Sequence, residues 1–156
     1  MSFSLKTLAM CALLSMAPVS ELRGAIPVGL SGGVPDALLY IVCVLANILP
    51  VPFILLFLRR ILDWMLKRGG RLRRAAEWLE ERGKAKSDIY RKYETLGLFI
   101  LVAIPLPGTG AWTGALVAGL LELRMKSAVP AIAGGVAAAG AIVMLVCKGV
   151  ISVAGL

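Results

Sequence analysis

Long apolar runs, cut by proline and glycine, set out the plan of this chain. The first run, about Leu5–Val19, reads as a short helix, and a Pro/Gly-rich interruption follows over Glu21–Pro35. Asp36–Leu58 is then apolar for 23 residues, about 34 Å of helix, enough to cross a bilayer. A polar connector occupies 59–93. Beyond it the order repeats: a short apolar helix over about Leu96–Ile104, a break at Pro105–Gly110, a short helix from Ala111 to about Leu123, and a spanning run from Ser127 to about Val150.

The short pieces are informative. Leu96–Ile104 would make about 14 Å of helix, half a bilayer. Two half-length helices joined by "PLPGTG" read as a re-entrant hairpin that dips into the membrane and returns. Lipid cannot satisfy the bare backbone of such a break, so it must be buried in protein or line a wet cavity. The same logic applies to the first half, less sharply, because Leu5–Val19 is nearly long enough to cross.

The two breaks also share letters. "AIPVGLSGGVPDAL" (Ala25–Leu38) and "AIPLPGTGAWTGAL" (Ala103–Leu116) match at Ala, Ile, Pro, Gly, Ala and Leu under an offset of 78, and Val51–Pro52 falls on Val129–Pro130 under the same offset. Chance agreement between segments rich in Ala, Gly and Pro is the competing explanation. The expected fold is an all-α integral membrane protein built as an inverted repeat. Residues 1–58 hold a re-entrant hairpin (4–35) and a transmembrane helix (36–58). Residues 94–156 hold a second hairpin (94–123) and a second transmembrane helix (127–150).

Composition supports a bilayer as solvent. The 156 residues are 59% hydrophobic with mean hydropathy +0.87, more than a small interior can hide. Most of the formal net charge of +8 lies in the connector, with Arg59, Arg60, Lys67, Arg68, Arg71, Arg73, Arg74, Arg82, Lys84, Lys86, Arg91 and Lys92. The positive-inside rule places that segment in the cytoplasm, and counting from it puts both termini outside the cytoplasmic membrane. Between Gly69–Gly70 and Gly83 the connector reads as an amphipathic helix, about Arg71–Arg82, with Leu72, Ala75, Ala76 and Leu79 on one face and Trp78 beside them. Such a helix suits anionic headgroups along 59–92. No nucleic-acid motif accompanies the charge. The N-terminal segment up to Ala17 also fits a signal peptide loosely.

Candidate chemistry is sparse. There is no histidine, and Cys11, Cys43 and Cys147 match no zinc spacing, so neither a metal nor a cofactor is expected. No nucleophile–base pair stands out, and an enzyme is not expected. The exception is "ELRGAIP", where Glu21 and Arg23 are the only charges between Lys6 and Asp36. Ionisable groups at membrane depth are costly and commonly functional. In one reading Arg23 binds an anion such as a phosphate and Glu21 carries a proton. In the other, the two neutralise each other and tie down the break, or face outer water.

The second break has no charge, so its polarity lies in its backbone. A Pro107-Gly108-Thr109-Gly110 turn entering a helix presents unpaired N–H groups, a ready anion site, with Thr109 able to cap and Trp112 able to wall off a ligand. Pro27, Pro105 and mid-span Asn47 complete the expected substrate-binding set. Asn47 needs a partner and offers either a site ligand or an interhelical clasp. The small residues of "AIAGGVAAAGAIV" favour close helix contact, internally or across a dimer.

At "ELRGAIP", "ANILPVP" and "PLPGTGAWTG" the chain resembles the putative small multidrug export proteins over nearly its whole length. That family is considered a distant relative of the DedA membrane proteins, also called the SNARE-associated or VTT-domain family. The resemblance implies paired re-entrant hairpins facing each other, and movement of polyprenyl-phosphate lipid carriers driven by a proton or sodium gradient. DedA proteins place arginines around the Pro-Gly of the second hairpin; here the neighbours are Ile104, Pro105, Leu106, Thr109 and Gly110, so a phosphate would fall to Arg23 and backbone N–H groups. The expected function is a small transporter of an amphipathic or lipid-linked anion, working as a homodimer. The alternatives are a non-transporting scaffold or assembly factor acting through the basic helix, or an exporter of cationic drugs.

Overall fold

The structure, a computed structural model, describes residues 4–68, 70–71, 73–74, 77–78, 88–106 and 108–154. Among them are seven α-helices: α1 (Leu5–Met16), α2 (Glu21–Ser31), α3 (Asp36–Ile48), α4 (Pro50–Lys67), α5 (Asp88–Ala103), α6 (Ala111–Leu120) and α7 (Met125–Ala154). No strand occurs among the described residues.

Each end of α1 and α2 has a local cause. Ser4 opens α1, its hydroxyl accepting from the Lys6 amide at 3.3 Å. Pro18 bars continuation past Ala17, and Ser20 Oγ donates to the freed Leu14 carbonyl at 2.8 Å. The chain then turns back into α2. At the end of α2, Gly33 takes φ +70°, while Val34 N–H reaches Gly29 O (3.1 Å) and Gly33 N–H reaches Leu30 O (3.1 Å). That is a Schellman stop, with glycine at the left-handed position. Helix α6 stops the same way, through Leu123 N–H to Ala118 O (2.9 Å) and Glu122 N–H to Gly119 O (3.1 Å). There the left-handed residue is Glu122, at φ +52°.

Asp36–Ile61 and Met125–Val153 are long and apolar enough to cross a membrane, at 26 and 29 residues and about 39 and 44 Å of helix. Only 22% of each apolar window is buried. The outward faces carry Ile41, Leu45, Phe53, Phe57, Leu145 and Val150 in the open, a surface suited to lipid rather than water.

The two helical hairpins, α1–α2 and α5–α6, approach these long helices from opposite ends. At one end Gly32, closing α2, lies against Thr7 of α1, and Asp36, opening α3, pairs with Lys148 of α7. At the other end Arg59 of α4 donates to Leu123 O, just past α6, at 2.7 Å. The hairpins dock through glycines that leave room for a neighbour: Gly29 of α2 against Leu39, Gly119 of α6 against Leu58, and Gly114 and Gly135 on either side of Val102. Leu22, Ile26, Leu39, Val51, Leu55, Val102, Ala111 and Ile132 share one buried core.

Several expectations are corrected. Glu21–Pro35 is not an interruption: Glu21–Ser31 is helical with Pro27 inside it. Proline is tolerated because its ring lies on the exposed face of a short helix, and the glycines serve close packing. The segment expected to end at Leu58 turns at Leu49, resumes with Pro50 at the first helical position, and runs to Lys67. The helix expected from Leu96 begins at Asp88, inside the expected connector, and the last helix extends to Met125 and Ala154. Helix α6 stops at Leu120, short of Leu123. The 78-residue match is out of register with the architecture. Ala25–Leu38 lies on α2 and the start of α3, whereas Ala103–Leu116 lies on the second turn and α6. Much of the expected basic helix, including Leu72, Ala75, Ala76, Leu79 and Arg82, lies outside the described residues, as do Lys84 and Lys86.

Candidate functional site

The tips of the two hairpins meet, and their polar groups are complementary. Glu21 begins α2 with φ +47°, a left-handed conformation rare for a residue with a side chain. Its residue is 6% exposed, and its carboxylate lies at the N-terminus of α6. There Trp112 N–H donates to Glu21 Oε1 at 3.4 Å, and the Ala111 amide also bonds the carboxyl. The opening turn of a helix has unpaired N–H groups and a partial positive charge, so a carboxylate is well matched to it. The anion site expected at this helix therefore already holds an anion, and it belongs to the chain itself.

Arg23 points the other way, into the turn before α6. Its Nη1 donates to Leu106 O, and its Nη2 to Ile104 O (3.2 Å) and Thr109 O. Helical pairing has ended here, so Ile104 O and Leu106 O accept only within the turn, from Leu106 N–H (2.8 Å) and Thr109 N–H (3.3 Å), and each has a lone pair left for Arg23. The approach of Arg23 to Glu21 is loose by comparison, 4.0 Å from Nη1 to Oε2. The two charges thus bind the second hairpin more closely than they bind each other.

Two glycines make this possible for different reasons. Gly108 has φ +85° with open space around it, so the turn needs its conformational freedom. Gly110 is extended, and a Cβ there would overlap the Glu21 carboxylate. It is required for room. Thr109 does not cap α6 as expected. The N-cap is Gly110, without a side-chain bond, and Thr109 Oγ1 donates within its own turn to Ile104 O (2.9 Å) or Leu106 O (3.0 Å). Trp112 is committed as well, its Nε1 donating to Met16 O at 3.0 Å at the end of α1.

Two spaces flank the charged pair. One is an open cleft of about 480 Å³ between the tips, with Pro18, Val19 and Pro105 as apolar walls and Glu21 and Arg23 among its lining. Val19 is 96% exposed at its lip. The other is a narrow crevice with about 150 Å³ of empty space and no room for a water molecule, where Glu21, Arg23 and Gly110 meet Asn47 of α3 and Val136 of α7. Asn47 lies near the end of α3 and near the middle of the apolar run Asp36–Ile61, so the tips meet about half-way along that run. Asn47 is 1% exposed and its Oδ1 has no partner; Arg23 Nε is likewise buried without one.

Of the residues expected at a site, Glu21, Arg23, Asn47, Pro105, Gly108, Thr109, Gly110 and Trp112 come together at or beside the meeting of the tips. Pro27 does not; it lies on the exposed face of α2 and lines neither space. Pro107 lies outside the described residues. The carbonyls of Ile104 and Leu106 were not foreseen, whereas the N–H groups opening α6 were. Pro105 was the available signal for the carbonyls, since it marks the end of α5, where the last carbonyls lose their helical donors.

A family model described as putative small multi-drug export protein matches residues 21–142, a stretch that opens on Glu21. No curated protein and no solved structure matches the chain.

Proposed function

This chain belongs to the putative small multi-drug export family, and from that premise we propose that it moves an amphipathic anion, of the lipid-phosphate class, through the cleft between its hairpin tips. Family membership and two apolar helices long enough to span point to a membrane location. In this reading the hairpins are re-entrant, one from each face, and the two halves form an inverted repeat in their order of elements: hairpin, then span. Broken helices meeting at mid-depth are where transporters of that plan bind their cargo.

The observation that carries the proposal is the cleft itself. It joins apolar walls, opening at Val19, to a guanidinium and a carboxylate at about half the height of the spans. An amphipathic anion needs both: a wall for its tail and a cation for its head. Arg23 keeps 18% of its side chain exposed beside the carbonyls that hold it, so an anionic head could exchange with one of them. Glu21 is the coupling group. While ionised it occupies the α6 N-terminus; once protonated it loses its attraction for that site and frees it. A proton is the proposed coupling ion, because the carboxylate already shares its surroundings with Arg23.

The test is flux in proteoliposomes carrying a pH gradient. The protein should move a fluorescent polyprenyl phosphate across the bilayer when the gradient is present. Arg23→Gln should abolish that movement, and Glu21→Gln should leave only gradient-independent leakage. Gradient-driven movement of a lipophilic cation, with none of the anion, would overturn the proposal in favour of cationic drug export.

A further inference from the structure

Asn47 is unexplained by the site as described. A buried amide oxygen without a hydrogen bond is costly, and the crevice that Asn47 shares with Glu21 and Arg23 cannot admit a water to satisfy it. Its partner must therefore be a neighbouring side chain that becomes a donor. Arg23 is held through both Nη groups by three carbonyls of the second turn, and its Nε, though without a partner, makes no bond to Asn47. Glu21, while ionised, can only accept. Protonation changes that, since a carboxylic acid carries one O–H donor.

We propose that Glu21 has two seats: ionised, on the N-terminal amides of α6; protonated, with its O–H donated to Asn47 Oδ1 across the crevice. This rests on the reading of Glu21 as the proton carrier and adds the residue that receives it. The proton enters from the cleft, which Glu21 also lines, and joins one carboxylate oxygen. The bonds from the Trp112 and Ala111 amides are lost, and one O–H···O bond to Asn47 replaces them. Among the described residues, Arg23 is the one charged neighbour lining either space. From the packed elements, α3 brings Asn47, α5 Val102, α6 Gly110 and Ala111, and α7 Val136 and Ala139, none of which titrates. Asn47 is thus a positioning residue, storing the acid form inside the protein while the α6 N-terminus stands open.

The experiment is infrared difference spectroscopy on the full-length protein in lipid nanodiscs, following the carboxylic-acid C=O stretch as pH is lowered. Glu21→Gln identifies the band by removing it. In the wild type the band should have the lowered frequency of a hydrogen-bonded acid. Asn47→Leu should move it to the frequency of a free acid and lower its midpoint by about one pH unit, the size of one buried hydrogen bond to the protonated form. Asn47→Thr, which keeps an acceptor oxygen, should restore part of both. A midpoint that rises in Asn47→Leu would make Asn47 a donor to the ionised carboxylate. An unchanged band and midpoint would leave Arg23 Nε as its partner. Either result overturns the two-seat assignment and leaves Glu21 as the proton carrier. If Glu21→Gln removes no band at any pH, Glu21 does not titrate, and the coupling reading fails with it. If Asn47→Leu does not fold, a free-acid frequency in the wild type alone overturns the assignment.

Discussion

The two hairpin tips are opposites in chemistry. The first is a helix start carrying both charges, Glu21 and Arg23, with Glu21 in a left-handed backbone conformation. The second has no charge between Ala103 and Trp112, but its carbonyls and amides are exposed by proline, glycine and a helix end. Neither would be stable if buried alone. An isolated ion pair lacks solvation, and an isolated loop lacks partners for its backbone. Together they complete each other: the guanidinium serves the carbonyls and the carboxylate serves the amides. The tips differ because each solves the other's problem, and the charges need no counterpart in the second half.

That complementarity can be broken piece by piece. The largest expected effect is Arg23→Leu, which takes the guanidinium away from three carbonyls and from the Glu21 carboxylate, and should cost about 3–5 kcal/mol, the range for breaking a buried charged cluster. Arg23→Lys should recover only part of it, because one ammonium cannot span three carbonyls set for a planar fork. Gly110→Ala comes next. Its Cβ overlaps the Glu21 carboxylate, so the carboxylate must leave its seat, at about 1–3 kcal/mol. Gly108→Ala, with no steric neighbour but φ +85°, should cost about 1 kcal/mol from backbone strain alone. Trp112→Phe removes one hydrogen bond and should cost about 1 kcal/mol or less. All five can be measured by reversible unfolding in mixed micelles. A Gly110→Ala protein no less stable than Gly108→Ala would mean that Glu21 does not sit where described.

The smallest effects lie away from the tips and sharpen the comparison by their sign. Glu122→Gly, at the left-handed stop of α6, should stabilise by about 1 kcal/mol, since Gly33 fills the equivalent position after α2 without strain. Asp36→Asn breaks the half-exposed pair with Lys148 and should cost under about 1 kcal/mol, less in high salt.

Much of the fold was readable in the chain. The apolar runs at 36–58 and 127–150 marked the two long helices, the proline and glycine after Ile104 marked the second turn, and Glu21 and Arg23 were conspicuous as charges in apolar surroundings. Pro27 and its neighbouring glycines misled, because the same residues that break a helix also let one pack closely. The 78-residue match misled for a related reason: in one half its letters fall on a helix, in the other on a loop.

By itself, then, the sequence determined where the two long apolar helices lie, where the second turn falls, where the charges concentrate, and which two residues were worth suspecting. Those properties depend on neighbours within a few residues. Only the tertiary structure decided that Glu21 serves the α6 amides, that Arg23 serves the carbonyls of the second turn, and that Asn47 is left waiting beside them. The partners of Arg23 and Glu21 lie 81 to 91 residues away in the chain. They are backbone groups, which every residue has, so no letter marks them; only folding shows which of them are left unpaired and where they point.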